Sequence, residues 1–226
     1  MPSSDRLLLA AGVLLLAGCS TPSEPPPSGA PSERTARPAL PQATSRAEPI
    51  TLHSDGAPRR AVLAVPAIGL RGLVVIPYAG RTDDAAGTRI QDGGRAASPH
   101  GPTGGVGPGE IGNYQITAHR TSSTRAFERL PDLRAGARVV VESGGVRYVY
   151  RIVTTRERSF RSPASLRAQG AAVPGRPGVE PSRAMITLST CATQEDHAEG
   201  NYWADRFGNP EHRIDKIGVL VSSAAV

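Results

Sequence analysis

Cys191 closes the run Met185-Ile186-Thr187-Leu188-Ser189-Thr190-Cys191, in which a two-residue period puts Met185, Thr187, Ser189 and Cys191 on one face. A thiol where a strand opens into a loop is placed for access, and its thiolate is a nucleophile. His119 also follows a strand-like run, Asn113 to Ala118, and precedes Cys191 by 72 residues. An imidazole beside a thiol lowers its pKa or holds its proton, the pairing used in nucleophilic catalysis. Arg213, 22 residues after Cys191 and at the start of the last apolar run, would offer a fixed positive fork to a developing oxyanion. Each has a plainer reading alone: a buried cysteine packs as a small hydrophobe, and a single histidine is more often structural. Their common position at strand ends gives the chemical reading its weight.

The elements that must position them are short β-branched runs broken by Gly and Pro. Strands are expected at Ala61 to Val65, Gly72 to Ile76, Tyr114 to Ala118, Arg138 to Glu142, Val146 to Thr155, Ala184 to Thr190 and Ile214 to Val221. Seven or eight such runs imply an all-β sandwich or barrel. Val139 to Glu142 and Val146 onward form the clearest hairpin, around Ser143-Gly144-Gly145. Short helical turns are expected at Phe127 to Leu133 and Ala164 to Gln169. The Gly/Pro-rich stretch Asp92 to Gly109 reads as a surface loop, and the polar stretch after Cys191 as helix-poor.

On these residues the chain resembles the sortases. The motifs are Gly109-Glu110-Ile111-Gly112-Asn113, Ala118-His119-Arg120-Thr121, Phe127 with Leu130-Pro131-Asp132-Leu133 and Gly136, Thr187-Leu188-Ser189-Thr190-Cys191, and Arg213 in the last strand. The pattern is most similar to class E sortases of high-GC Gram-positive bacteria and spans about Val62 to Val221. The resemblance implies an eight-stranded β-barrel and a cysteine transpeptidase with Cys191 as nucleophile, His119 as general acid/base and Arg213 as the oxyanion or substrate-positioning arginine. It also implies secreted surface-protein substrates with a C-terminal LxxTG-like sorting signal, with Ala second in class E, and a peptidoglycan-precursor amine as acceptor. No cofactor is called for. Arg120, Thr121, Thr187, Ser189 and Thr190 are candidates for substrate contact. The chain departs from the family pattern in Ala118, where glycine is usual, and in a long segment between Cys191 and Arg213. That length leaves Arg206 as a competitor for the arginine role.

Composition narrows the alternatives. The basic residues are 25 Arg and the single Lys216, for a net charge of +6, but the arginines are dispersed and not interleaved with aromatics, so nucleic-acid binding is not expected. With only Cys19 and Cys191, a disulfide framework and a four-thiolate zinc site are excluded. Glu195, Asp196, His197 and Glu199 could attract a hard cation, but their spacing fits no known loop and a solvated segment is the expectation. Tyr202 and Trp203 read as packing within the inserted segment, and His53, His100 and His212 have no evident partner. An L,D-transpeptidase would carry a Ser-His-Gly-Cys-like motif that Ser189-Thr190-Cys191-Ala192 lacks. A catalytically silent cell-wall-binding lipoprotein is the rival of a different class.

The N-terminus reads as an address. Leu7 to Ala17 is an apolar run of 11 residues, too short to span a membrane and of signal-peptide length. It ends Leu16-Ala17-Gly18-Cys19, similar to a lipobox, which makes Cys19 the expected lipidation site and membrane anchor. Ser20 to Pro49 holds eight prolines and few large apolar residues, so it cannot offset its ordering entropy by burial. The expected organisation is a signal segment over 1–18, a disordered Pro/Ser-rich tether over 19–60 and a monomeric extracytoplasmic catalytic domain over 61–226.

Overall fold

In the computed structural model, residues 54–226 are described. The signal segment, Cys19, His53 and most of the tether lie outside them. Eight strands close into a barrel in the order β1-β2-β3-β4-β7-β8-β6-β5, as expected of an all-β chain with the sortase-like pattern. β1 (Ala61–Val65) turns through Pro66–Ile68 into β2 (Leu70–Ala79), its antiparallel partner, and β1 also pairs with β5 (Arg138–Ser143). Residues 54–60, grouped above with the tether, lie against the barrel: Gly107 N–H donates to the Gly56 carbonyl at 3.2 Å and Ser54 Oγ to the Pro108 carbonyl at 2.5 Å.

Alternation builds the core. Leu63, Val65, Val75, Tyr114, Ile116, Val139, Val141, Tyr150, Ile152, Ile186 and Leu188 are at most 2% exposed and point inward, leaving the intervening residues of each strand on the outer face. The β5–β6 hairpin (β6, Val146–Ser159) pairs Ser143 with Val146, so its loop is only Gly144 and Gly145. Both have positive φ, 59° and 77°, as a two-residue turn matched to strand twist requires. β6 and β8 (His212–Ala225) run together from Val146↔Ala225 to Ser159↔His212, several residues beyond the apolar runs that marked them. Their ends are polar because they reach past the apolar core, and the ladder between them satisfies the backbone there.

The structure corrects three expectations. β3 (Ala96–His100) lies inside the stretch read as a loop. Ala-Ala-Ser-Pro-His has weak strand propensity, but it is wedged between β2, to which it runs parallel, and β4 (Gly112–Thr117), which it meets at Ala97↔Thr117. Pro99 is tolerated because β4 pairing is confined to that one position. A helix, α1 (Ala85–Asp92), occupies a segment given no element from sequence, capped by Asp84, whose Oδ1 accepts from the Ala86 and Gly87 N–H groups at 2.9 Å each. The stretch after Cys191 holds α3 (Thr193–Ala198) rather than being helix-poor, with Glu195 and Asp196 in its first turn. α2 (Pro163–Gln169) falls where a helical turn was expected, with proline at its start and Ser162 Oγ accepting from Ser165 N–H at 3.2 Å. Phe127, Leu130 and Leu133 bury the other expected turn, whose hydrogen-bonded core is Leu130–Asp132.

Candidate active site

Three neighbouring strands bring the sequence candidates together. β4 and β7 (Ala184–Cys191) are parallel, in the register Thr117↔Ser189. The 72-residue interval between His119 and Cys191 is therefore the register itself, and both chains leave the barrel level with each other. Thr190 Oγ donates to the Ala118 carbonyl at 2.8 Å, locking the two strand exits. β8 runs antiparallel on the other side of β7 and pairs Arg213 with Cys191 and Asp215 with Ser189, so these four side chains share the outer face of the wall.

Cys191 is 7% exposed, against the expectation of an open strand end, and receives a hydrogen bond from Arg213 Nη1 at 2.6 Å. Burial pushes the thiol above its ordinary value. The Arg213 charge opposes that rise, and the Asp83 carboxylate adds to it. Arg213 is fully buried, with its guanidinium 5.1 Å from the Phe160 ring and Nη2 ion-paired to Asp83. Burial works against its charge, but Asp83 and then Cys191 more than offset it, and its proton is held more tightly than usual. The competitor Arg206 is exposed, stacks on Phe207 at 4.7 Å and lines the neighbouring groove, whereas the hydrogen bond to the sulphur comes from Arg213.

His119 is brought to the same barrel end but turns to α1: its Nε2 and Asp92 Oδ1 are 2.8 Å apart. Among the described residues no hydrogen bond joins His119 to Cys191. A further layer supports the wall from beneath. Gln169 Nε2 donates to Ser189 Oγ at 3.2 Å and to Asp215 Oδ1 at 3.3 Å, and Arg158 Nε lies 3.5 Å from Asp215 Oδ2. Burial raises Asp215 above the usual carboxylate range despite those partners.

Several residues expected to touch substrate are framework. Arg120, a candidate for substrate contact, is 5% exposed. It ion-pairs with Glu195, donates to Gln194 Oε1 at 2.9 Å and reaches the Cys191 carbonyl at 3.3 Å, tying α3 to the strand exits. Glu195 is held below its ordinary value because Arg120 outweighs the cost of burial. Thr187 Oγ donates to Asn113 Oδ1 at 2.8 Å, and Thr187, Ser189 and Thr190 are all buried. Only Thr121 of that set is exposed. His212, which the sequence left without a partner, has Asp196 Oδ1 2.6 Å from its Nδ1. Thus Glu195 and Asp196 of the acidic cluster are engaged by the basic side chains of Arg120 and His212. Tyr202 stacks on His197 with centroids 4.7 Å apart, and Arg161 lies 5.8 Å over Trp203.

Beside the thiol, a groove of about 610 Å³ is lined by Asp83, Phe160, Leu166, Gln169, Asp205 and Phe207 among others. Two of its lining residues meet the buried pair from the groove side: Phe160 stacks on Arg213 and Asp83 ion-pairs with it. Sequence reasoning did not single out Asp83, Asp92, Phe160 or Gln169. The first two lie in a segment without strand period, and the others carry no motif.

A thiol, an imidazole and a guanidinium at one end of a closed barrel, beside an open groove, have the chemistry that cysteine-dependent acyl transfer requires. A family model described as the sortase domain matches residues 63–205, more than half of the chain, and the chain belongs to the sortase family of cysteine transpeptidases acting on peptide bonds. The match ends before Arg213. The chain is similar in structure to the SrtA sortase from Actinomyces oris, at 20% identity and TM-score 0.55 over 80% of this chain and 89% of that one. Sortase E from Streptomyces avermitilis aligns at 22% identity and TM-score 0.54, over 75% of this chain and 91% of that one. Sortase E1 from Streptomyces coelicolor, solved with a tripeptide in its active site, aligns at 21% identity and TM-score 0.52, over 77% and 94%. Comparison with curated protein sequences gives no match.

Proposed function

We propose that the chain is a class E-like sortase with Cys191 as nucleophile, His119 as general acid/base and Arg213 as the oxyanion-stabilising cation. The observation that carries the reading is the Cys191↔Arg213 pair on β7 and β8 with Nη1 on the sulphur, level with the exit of His119 from β4. In the free protein the buried thiol favours its protonated form. Transfer of its proton to the His119 imidazole leaves a thiolate facing Arg213 and a protonated His119, and binding of a peptide in the groove excludes water and strengthens the attraction of thiolate and guanidinium. The sulphur attacks the carbonyl carbon of Thr in a Leu-Ala-x-Thr-Gly signal, forming a C–S bond. Arg213 stabilises the negative oxygen. As the C–N bond breaks, protonated His119 gives its proton to the leaving glycine amine, and a thioacyl enzyme remains. An acceptor amine then attacks the thioester, His119 takes the amine's proton and the sulphur leaves as thiolate.

Support for the class E assignment comes from the Thr187-Leu188-Ser189-Thr190-Cys191 motif with its upstream His119-Arg120-Thr121 and from the two sortase E structures among those similar in fold. The acceptor is a peptidoglycan-precursor amine, and the protein works as a monomer held at the outer membrane surface by lipidated Cys19 and the Pro-rich tether. Among the described residues no helix is long and apolar enough to cross a membrane. Incubating the full chain with a Leu-Ala-x-Thr-Gly peptide, with mass spectrometry of the protein, tests the chemistry. A thioacyl adduct on Cys191 that is absent from Cys191→Ala is expected; peptide cleavage that survives Cys191→Ala would end the reading.

A further inference from the structure

Asp83 is the least expected member of the site. Its side chain is 1% exposed, and a carboxylate so buried requires a partner. It has two: Arg213 Nη2, and Gln91 Nε2, which donates to Oδ1 at 3.2 Å from the buried face of α1. It also sits at φ 61°, a left-handed conformation that costs a non-glycine residue about 1–2 kcal/mol and clusters at functional sites. The turn that imposes this φ is locked on several sides. Asp84 caps α1 and accepts from Arg81 N–H at 3.2 Å, Tyr78 Oη donates to the Arg81 carbonyl at 2.7 Å, and Gly80 N–H donates to the His100 carbonyl at 3.1 Å.

We propose that Asp83 is a positioning residue for the transfer reaction: its carboxylate, braced by Gln91, holds the Arg213 guanidinium in the orientation that keeps Nη1 on the Cys191 sulphur. This rests on the reading of Cys191 and Arg213 given above. A guanidinium is a rigid planar fork, so fixing Nη2 fixes Nη1 as well. Without Asp83 the other carboxyl that acts on Arg213 is Asp215, already engaged by Gln169 and Arg158 on the layer beneath the thiol, and rotation toward it would draw Nη1 off the sulphur. Besides Arg213, the charges that act on the sulphur are Asp83 and, more weakly, Asp205, and both carboxylates oppose its ionisation. Asp83 therefore orients the cation and also restrains the thiolate. These roles pull a substitution in opposite directions, which makes them separable.

The test is Asp83→Asn in the full chain. Asn keeps the shape, can still accept from Gln91 and tolerates the left-handed backbone, but it leaves the buried Arg213 guanidinium without its carboxylate, so a lowered melting temperature with the fold retained is expected. Two quantities are read: the pH profile of Cys191 alkylation by iodoacetamide, and kcat and KM for a Leu-Ala-x-Thr-Gly peptide. The alkylation midpoint should fall by less than about one pH unit, the loss of a nearby negative charge being partly offset as Nη1 moves off the sulphur, while kcat falls about 10- to 100-fold from misplacement of Arg213 and KM changes less than about threefold. Gln91→Met, which removes the brace and keeps the charge, should lower kcat by a smaller factor and leave the alkylation midpoint in place, and a midpoint that moved would count against the proposal. A kcat for Asp83→Asn that is unchanged or raised would overturn the proposal, the latter marking Asp83 as a plug that substrate displaces. If the wild-type chain leaves the peptide intact, the sorting-signal reading fails on its own. The alkylation profile then still decides, and an unshifted midpoint in Asp83→Asn overturns the role of Asp83.

Discussion

The two sides of the site are held in different ways. On one side, Cys191, Arg213 and the exit to His119 stand on β7, β8 and β4, where backbone ladders set their positions to within a hydrogen bond. On the other, the segment from Gly80 to Asp92 joins the strand wall through side chains: Asp83 on Arg213, Asp92 on His119, and Tyr78 on the turn. The barrel thus places the three side chains, whereas the β2–α1 segment supplies a carboxylate partner to two of them. A rigid scaffold with adjustable partners is the arrangement needed when geometry must hold within a fraction of an ångström while proton affinities are tuned separately.

The contrast is broken most severely at its junction, Arg213. Arg213→Ala removes the thiol's hydrogen-bond donor and leaves Asp83 buried without a cation, with Asp215 losing a favourable charge. Removal of one partner from a buried ion pair costs about 3–5 kcal/mol, and loss of an oxyanion donor about 10²- to 10³-fold in kcat. Both are expected here, read by urea unfolding and by peptide turnover. Arg213→Lys should recover most of the stability and little of the turnover, because an ammonium cannot serve Asp83 and the sulphur with one planar fork. Full activity in the lysine variant would show that charge alone suffices.

The next effect comes from the helix side without touching a reacting group. A Cβ on Gly87 would come 2.4 Å from Tyr78 Oη and 2.8 Å from its ring carbon. Ala is normally the better helix former by about 1 kcal/mol, so Gly87→Ala would stabilise an isolated α1. In the protein it must displace Tyr78 or lift the helix. A net loss of about 1–3 kcal/mol is expected from overpacking, together with a roughly tenfold fall in kcat as Gln91 and Asp92 shift, and adding Tyr78→Phe should restore part of both. A smaller effect belongs to Asp92, whose side chain is 62% exposed. Asp92→Asn should lower kcat about threefold and change stability by less than about 1 kcal/mol, with the difference from wild type shrinking at high salt.

The same division explains what could be read from the sequence. Cys191, His119 and Arg213 were legible because strands impose a period of two and a fixed register, and motif spacing on β4, β7 and β8 is that register in another form. Thr187, Ser189 and Thr190 share the motif but point to framework duties. Spacing cannot tell a hydroxyl that meets substrate from one that bonds a neighbouring strand. β3 was hidden because its burial, not its composition, makes it a strand. α1 was hidden because its stability comes from the Asp84 cap and from contacts with the barrel rather than from an apolar stripe. The framework role of Arg120 was hidden because its partners, Gln194 and Glu195, are 74 and 75 residues away in sequence.

The smallest effect expected lies at the edge of the strand wall, where the inserted segment 192–211 returns to β8. Asp196 accepts from the His212 backbone N–H at 2.9 Å and holds its ring at 2.6 Å. Burial disfavours the charged ring, but Asp196, with Glu157 and Glu211, outweighs it and raises the proton affinity of His212 above that of a free histidine. A group bound more tightly to its proton in the folded state stabilises that state fully below its unfolded value, about 6.5, and loses the contribution as pH rises through the higher folded value. The melting temperature should therefore decline slightly above about pH 6.5, by on the order of 1 °C for a pair whose imidazole is partly exposed and whose carboxylate is buried, and His212→Gln should flatten that part of the profile. Turnover by His212→Gln at pH 6 should stay within about twofold of wild type, because the backbone bond from residue 212 to Asp196 survives the substitution and the Cys191↔Arg213 register does not depend on the ring. A larger loss would mean that the inserted segment, and not the ladder alone, sets the position of Arg213.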